Sequence, residues 1–545
     1  MDAQLRDGRT RCIACPGALR LFLFFALIWI LPRAQALAEP PVVHLAGGQS
    51  IEQAIEAAPS GAVLRIPAGT FSANITLSKP LTLEGAGWEQ TIIRAKKSIT
   101  TATASDLQAF AAEIRSASDP KAVAEVRATW RAKLGAPTLT VSGTDNVVIR
   151  GIRFIAEAPP AHVEGLYSEP IVLFLASTNV LMTNCVITGP FWDGIHVSDA
   201  SSAVIENTLI AGMWGTGVAI EGQQGEKSAS HAVIRNSEIR NCYHRCVTIG
   251  AKSDNTVLAD CRISGSAWHG IRYDAASPTI EGCVIYGNAR SGIYASGETA
   301  AKVFGNLFWG NEMGGMSCWS GNQDVIERNT FASNKREGIS VQGKSKPQLL
   351  RNIFYGHPAA ILCGAVAGEK DVVIGSPALE HNLFWKNAEN FDSGKVKNSL
   401  PGKGSLEVDP MFRNVFAKDF RLEPGSPALK EGIGATAIDS VSSQWPLTSE
   451  EEGIIPETDT RDSEAWRKPG KARPVVRQTP TRAKDDTRTL IDEAFRIDSK
   501  EARDAALAEI GCRVQAKDPA TVLSGLQALG ATCAVDFDRT PMRDP

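Results

Sequence analysis

Residues 283–318 read CVIYGNARSGIYASGETAAKVFGNLFWGNEMGGMSC. Within this stretch Ile293 and Met316 each follow a glycine and lead an apolar–x–apolar triplet. The same anchor recurs along the chain as Ile195, Val218, Val247, Ile271, Ile293, Met316, Ile339 and Ile361, at steps of 23, 29, 24, 22, 23, 23 and 22. A second series marks a small polar residue two places before an apolar one: Cys185, Thr208, Ser237, Cys261, Cys283, Asn306, Asn329 and Asn352. Its steps are 23, 29, 24, 22, 23, 23 and 23. Two independent series that share even the long step indicate stacked structural repeats. Segments such as AVIEN, HAVIRN and PTIEG are too short for helices and alternate with period two, so they read as strands. Units of this size cannot bury a face alone. They stack into a solenoid whose parallel strands lie about 4.8 Å apart from coil to coil. The second series then lines a corner, where asparagines hydrogen-bond along the stack and cysteines act as small hydrophobes.

The rest of the chain fits this centre. Fifty-seven Lys+Arg against 60 Asp+Glu leave a net charge of −3, which argues against a nucleic-acid partner. With 43% hydrophobic and 21% charged residues the chain can build a core, and 48 glycines suit a turn-rich β protein. One long apolar run exists, LRLFLFFALIWIL at 19–31. Arg6, Arg9, Arg11 and Arg20 precede it, and Ala36 and Ala38 follow in A-x-A spacing. This reads as a signal peptide over residues 1–38, giving a secreted or periplasmic protein with no other membrane contact; an uncleaved anchor is the alternative. Of the 11 cysteines, Cys12 and Cys15 precede the run. Export permits disulfides, but packing explains Cys185, Cys261 and Cys283, and Cys512 with Cys533 is a candidate pair.

The expected plan is a β-solenoid over 42–435 with a helical insertion at about 98–135, a disordered linker over 440–485 and a small helical module over 486–535. The insertion reads as a hairpin of SDLQAFAAEIRS and DPKAVAEVRATWRAKLG, with Asp119 capping and Pro120 in the first turn. Ser50 and Gln53 form a capping box for a short helix whose Ile51, Ala54 and Ile55 cover the first coil.

Together with QSIEQAIEAAPSGAVLRIPAGTFSANITLSKPLTLEGAG (49–87), the repeats make the chain resemble the right-handed parallel β-helix proteins of the pectin-lyase-like superfamily. DPMFRNVFAKDFRLEPGSPAL (409–429) is similar to the closing coils of many bacterial members. The resemblance implies an all-β solenoid, a right-handed parallel β-helix, with an N-terminal capping helix, a helical-hairpin insertion and a small helical C-terminal tail. The fold hosts many chemistries. The paired Asp of polygalacturonases, the D-P-H of alginate epimerases and the L-G-R-P-W of pectin esterases are all absent from this sequence.

Strand alternation turns the residues one and three places after each anchor outward. The first position carries His196, Arg272 and Tyr294; the second carries Glu221 and Asp274. The turn before the strand adds Trp192, Asp193, His244, Arg245, Trp268 and His269. Ionisable groups concentrated in consecutive coils suggest a site, against the plainer reading of a solvated face. Action on a uronic acid needs a cation for the carboxylate and groups that exchange protons. Arg272 or Arg245 suits the first role; His244, His269 or Tyr294 suits the second. Trp192, Asp193, His196, Glu221, Trp268 and Asp274 are then substrate-binding. The expectation is an exported lyase or epimerase acting on an acidic polysaccharide. A non-catalytic carbohydrate-binding or surface protein is one alternative. An inverting hydrolase is another, since Glu221 and Asp274 lie two coils, about 9.6 Å, apart by backbone. No cofactor or metal ligand set is expected; calcium is open, but no motif supports it. A monomer is expected.

Overall fold

The computed structural model describes residues 39–96, 103–116, 135–156, 170–189, 193–198, 201–221, 230–365, 373–393, 402–435, and positions 126, 129, 130, 133 and 445. The expected signal peptide and C-terminal module lie outside the described residues, as do Asp119, Pro120 and all of the expected linker except Trp445.

The anchors are strand residues, and their register is the sequence spacing made physical. Ile195 pairs with Val218, Val218 with Val247, and so on through Ile271, Ile293, Met316, Ile339 and Ile361. Every coil visits three parallel sheets in turn. Sheet 1 holds thirteen strands, from Val42–His44 to Ala378–Glu380. Sheet 2 holds twelve, from Gly69–Ser72 to Leu383–Trp385, and sheet 3 twelve, from Ile75–Leu77 to Glu389–Asp392. The chain is a right-handed parallel β-helix.

Between sheets 1 and 2 the corner is a single left-handed residue followed by the ladder position. Asn184, Asn207, Asn236, Asp260, Gly282 and Gly305 take φ near 50–65° there, a conformation these residue types tolerate. Arg328, Arg351 and His381 are held in it by the stack. The ladder is buried as expected: Asn306 donates its backbone N–H and Nδ2 to Asn329 Oδ1, and Asn329 treats Asn352 the same way, over 2.9–3.1 Å. Cys185, Cys261 and Cys283 are buried free thiols, consistent with packing. A second ladder, absent from the sequence reading, lines the corner between sheets 2 and 3. It runs Asn288, Asn311, Asn334, His357 and Asn387.

Helix α1, Ile51–Ala57, closes the N-terminal end with both capping-box bonds present and Ile51, Ala54 and Ile55 buried. In the insertion, α2 spans Ala104–Ser116; Phe110 packs on Trp130, 5.9 Å between rings, and Trp130 Nε1 donates to Glu113.

Residues 409–429 are not a closing coil. They form an antiparallel pair, Phe412–Asn414 with Asp419–Leu422, then α3, Pro427–Glu431, with Ser426 as N-cap and left-handed Gly432 ending it. The segment folds back over sheet 2 because that outer face is apolar: Val284, Leu307, Ile353 and Leu383 are buried beneath Phe420, Leu422, Ala428 and Ile433. Farther along the same face Trp445 rests on Trp88, at 5.3 Å, beside Val186, Leu209 and Ala211.

Candidate functional site

Six of the eight residues immediately before the anchors are glycine, and close packing explains them. A Cβ at Gly270 would lie 2.7 Å from the Gly292 carbonyl and 2.8 Å from Asn288 Nδ2. Chains this close run in step, so the turn leading into sheet 3 also repeats. Two residues before the anchor stand Asp193, Thr216, Arg245, His269, Ser291, Gly314 and Glu337; three before stand His244, Trp268, Arg290, Met313 and Arg336. Backbone bonds such as Gly217 N–H to Arg245 O and Gly270 N–H to Ser291 O fix this alignment. Strand faces and turn columns therefore meet along one edge of sheet 3.

The densest point is His269 with Tyr294. Their rings lie 4.7 Å apart. His269 is buried, and its Nδ1 accepts the Ser291 N–H at 3.3 Å. Burial, then the cations of Arg290, Arg245 and Arg272, pull its pKa down to about 3. With Nδ1 occupied as acceptor and the ring neutral, the proton sits on Nε2. His269 is thus a fixed hydrogen-bond donor and a poor base. Tyr294 is half-buried. Burial raises its phenol above the usual range, and Arg272, Arg245 and Arg290 draw it back.

Three guanidinium groups surround this pair. Arg272 lies 5.8 Å from the Tyr294 ring and its Nε is 2.5 Å from Asp274 Oδ2. Arg290 sits 4.2 Å and Arg245 5.4 Å from the Trp268 ring, from the coils on either side of it. Such cation–π contacts help hold long side chains in place. His244 is 5.9 Å from the same ring, and Trp319 lies 6.0 Å from Tyr294.

Of the residues picked out in the sequence, His244, Arg245, Trp268, His269, Arg272, Asp274 and Tyr294 come together. Asp274 is engaged by Arg272 and by the Ser296 hydroxyl. Asp193 is buried and accepts the Thr216 N–H at 2.7 Å, tying two coils together. His196 lies three coils before Arg272, about 14 Å by the strand repeat. Glu221 lies across Gly250, where a Cβ would meet its own Cβ at 2.7 Å. Trp192 is outside the described residues. Arg290 and Glu337 were missed, although each occupies the turn offset that singled out Trp268 and His269. Among the described residues no group of three or more His, Cys, Asp or Glu is placed to hold a metal ion, and no helix is long and apolar enough to cross a membrane.

Coil and register define a right-handed parallel β-helix protein of the kind the pectin-lyase-like resemblance implied. Residues 170–326 match the family model described as the right handed beta helix region. No curated protein matches the chain. Among solved structures it is similar to the A-module of a mannuronan C-5 epimerase from Azotobacter vinelandii, at 14% identity and a TM-score of 0.39, covering 62% of this chain and 95% of that one. The pectate lyase Pel9A is similar at 13% identity and a TM-score of 0.40, over 70% and 85%. So is the catalytic domain of a GH87 α-1,3-glucanase, at 13% and 0.36, over 68% of each.

Proposed function

We propose that the chain is an exported enzyme that removes the C5 proton of uronic acid residues in an acidic polysaccharide, as lyase or epimerase. The observation that carries this reading is the convergence of Arg245, Arg272 and Arg290 on a neutral His269 and the Tyr294 phenol. The C5 proton of a uronate is acidic only once its carboxylate charge is offset, and fixed guanidinium groups in a partly dry groove provide that offset. As the proton leaves, negative charge grows on the carboxylate, where the arginines and the His269 Nε2–H stabilise it. Tyr294 exchanges the proton through its phenolate, which burial and Asp274 disfavour and Arg272, Arg245 and Arg290 favour. Trp319 offers a face for a sugar ring.

A hydrolase needs one carboxyl held as acid and another free as base. Asp274 is instead engaged by Arg272 and Ser296, which favours the uronate reading. The cluster of Arg245, Arg272 and Arg290 suits an acidic polysaccharide partner, and the signal-like N-terminus supports a periplasmic or extracellular location. The test is a screen of full-length protein against polymers of galacturonate, glucuronate, mannuronate and guluronate in D2O. C5 deuterium, unsaturated ends and reducing ends are followed. Deuterium or unsaturation supports the reading; reducing ends without either mean a hydrolase; no change on any polymer means a binding protein.

A further inference from the structure

Glu337 stands in the same turn column as His269, three coils later. It is only 4% exposed. Its side chain does not stay in its own coil: a Cβ at Gly314 would lie 2.9 Å from Glu337 Cγ and 3.2 Å from its Oε1. The carboxyl therefore reaches back over Gly314, to the coil that follows Tyr294. Its charged neighbour, Arg336, holds Nε 3.7 Å from Oε2, beyond hydrogen-bond reach, and no donor bonds the carboxyl among the described residues. Neighbouring neutral side chains are paired with one another. Ser291 and Ser317 share a hydroxyl hydrogen bond of 2.8 Å, and Gln342 donates to Ser340 at 2.7 Å.

A nearly buried carboxyl without donors is costly for a fold to keep as a structural element. Buried like this, it holds its proton to higher pH than a surface glutamate; desolvation raises its pKa and Arg336 opposes the shift. Other interior carboxylates here are satisfied, as Asp324 is by Tyr273, Asn322, Thr299 and the Ala301 N–H. Among the buried carboxyls of the described residues, Asp193 accepts the Thr216 N–H and Glu238 accepts from Arg240, whereas Glu337 has only its longer ion pair with Arg336.

We propose that Glu337 is a further catalytic residue of this site, the general acid for the glycosidic oxygen one coil beyond Tyr294, which makes the reaction an elimination. The assignment rests on reading the site as one for uronic acids. A sugar held at Arg272 and Tyr294 is joined to its neighbour about one strand repeat, 4.8 Å, along the groove, at the level of the Glu337 carboxyl. Tyr294, reacting as the phenolate that Arg272, Arg245 and Arg290 favour against burial, takes the C5 proton, and the C5–H electron pair becomes the C4–C5 double bond. The C4–O bond breaks and its pair passes to the leaving oxygen, which takes the Glu337 proton. The products are an unsaturated uronate end and a free hydroxyl. Glu337, now carboxylate, regains a proton from water, and Tyr294 releases one.

The test compares full-length wild type, Glu337→Gln and Glu281→Gln on the uronate polymers in D2O, following C5 deuterium and the absorbance of unsaturated ends. Glu281 is exposed on the outer face of sheet 1 and serves as control. For Glu337→Gln, unsaturated ends should form about 10²-fold more slowly. C5 exchange should persist, and the alkaline decline of the wild-type rate should disappear. Melting temperature checks the fold, and Glu337→Asp, which keeps the acid but shortens its reach, should retain the pH profile at reduced rate. Unsaturation within about threefold of wild type in Glu337→Gln overturns the assignment, as does a wild type that exchanges C5 without ever forming unsaturated ends. Neither exchange nor unsaturation by the wild type on any polymer overturns the uronate reading, and this assignment with it.

Discussion

Replacing Asn329 with leucine cuts the asparagine ladder at its middle. Asn329 Oδ1 accepts both the backbone N–H and the side-chain N–H of Asn306, at 2.9 and 3.0 Å. Its own Nδ2 donates to the Val303 carbonyl at 2.9 Å and to Asn352 Oδ1 at 3.1 Å. Leucine removes all four bonds. Asn352 Oδ1 keeps the residue-329 backbone N–H, and Asn306 Nδ2 keeps the Ile280 carbonyl. That leaves the Asn306 backbone N–H and one Asn306 side-chain N–H unsatisfied where water cannot reach, while the Val303 carbonyl keeps its place in the parallel ladder with Val325–Glu327. At about 1–3 kcal/mol for each buried orphan, less what leucine regains by apolar contact, the expected loss is about 2–4 kcal/mol. Coils depend on nearest neighbours, so the damage should be local. Hydrogen exchange of the intact protein should show amides of residues 303–331 opening about 10²- to 10³-fold more easily, while residues 62–95 are unchanged. Cys283→Asn is the matched comparison: its side-chain amide can donate to the Leu258 carbonyl as Asn306 does to Ile280, so exchange there should stay as in wild type. Unchanged protection in Asn329→Leu would refute the claim that the ladder is an energetic spine.

Tyr273→Phe removes the hydroxyl donor to Asp324, whose pKa burial raises and whose four donors lower. Because that bond favours the carboxylate, the loss, about 1.5–3 kcal/mol, should be full above the Asp324 pKa and shrink as pH falls through it; melts that shift equally at all pH values would contradict this. Trp445→Ala uncovers Trp88, Val186 and Leu209 and should cost about 1–3 kcal/mol in chemical denaturation, with no loss expected if the tail merely rests there. His269→Gln should weaken turnover while leaving the acidic limb of the rate profile unmoved between pH 5 and 8, since the imidazole titrates near 3; loss of a limb in that range would show that His269 titrates as a base.

The fold was legible because its two spacing series are both buried columns, one of core aliphatics and one of corner amides, and burial makes spacing strict. The second amide ladder was harder to see. Its upstream members are Met213, Cys242 and Ser266, which share a position but no chemistry. The cluster that forms the candidate site was legible where it follows strand alternation, as at Arg272 and Tyr294, which the structure brings together. In the turn it was legible only in part: His244, Arg245, Trp268 and His269 stood out by residue type, but Arg290 and Glu337 did not, because the turn looked irregular in the sequence although Gly270 and Gly292 clamp it into columns as regular as the strands. Glu221 and Asp274 looked paired by offset alone; what separates their roles is that Glu221 folds across Gly250 while Arg272 engages Asp274. The fold-back of residues 409–435 has its cause in sheet 2, where a row of outward apolar residues needs a cover that no coil supplies.

The central claim is that the edge of sheet 3 around Arg272 takes an acidic glycan. The direct measurement is affinity electrophoresis of full-length wild type, Arg272→Ala and Glu281→Gln through gels containing uronate polymers or neutral glucan. Wild type and Glu281→Gln should be retarded in at least one uronate gel and not in neutral glucan, while Arg272→Ala, folded by its melting curve, should lose about tenfold or more in affinity, as removal of a charge-assisted bond to a carboxylate requires. Equal retardation of all three proteins, or retardation in neutral glucan alone, would contradict the account.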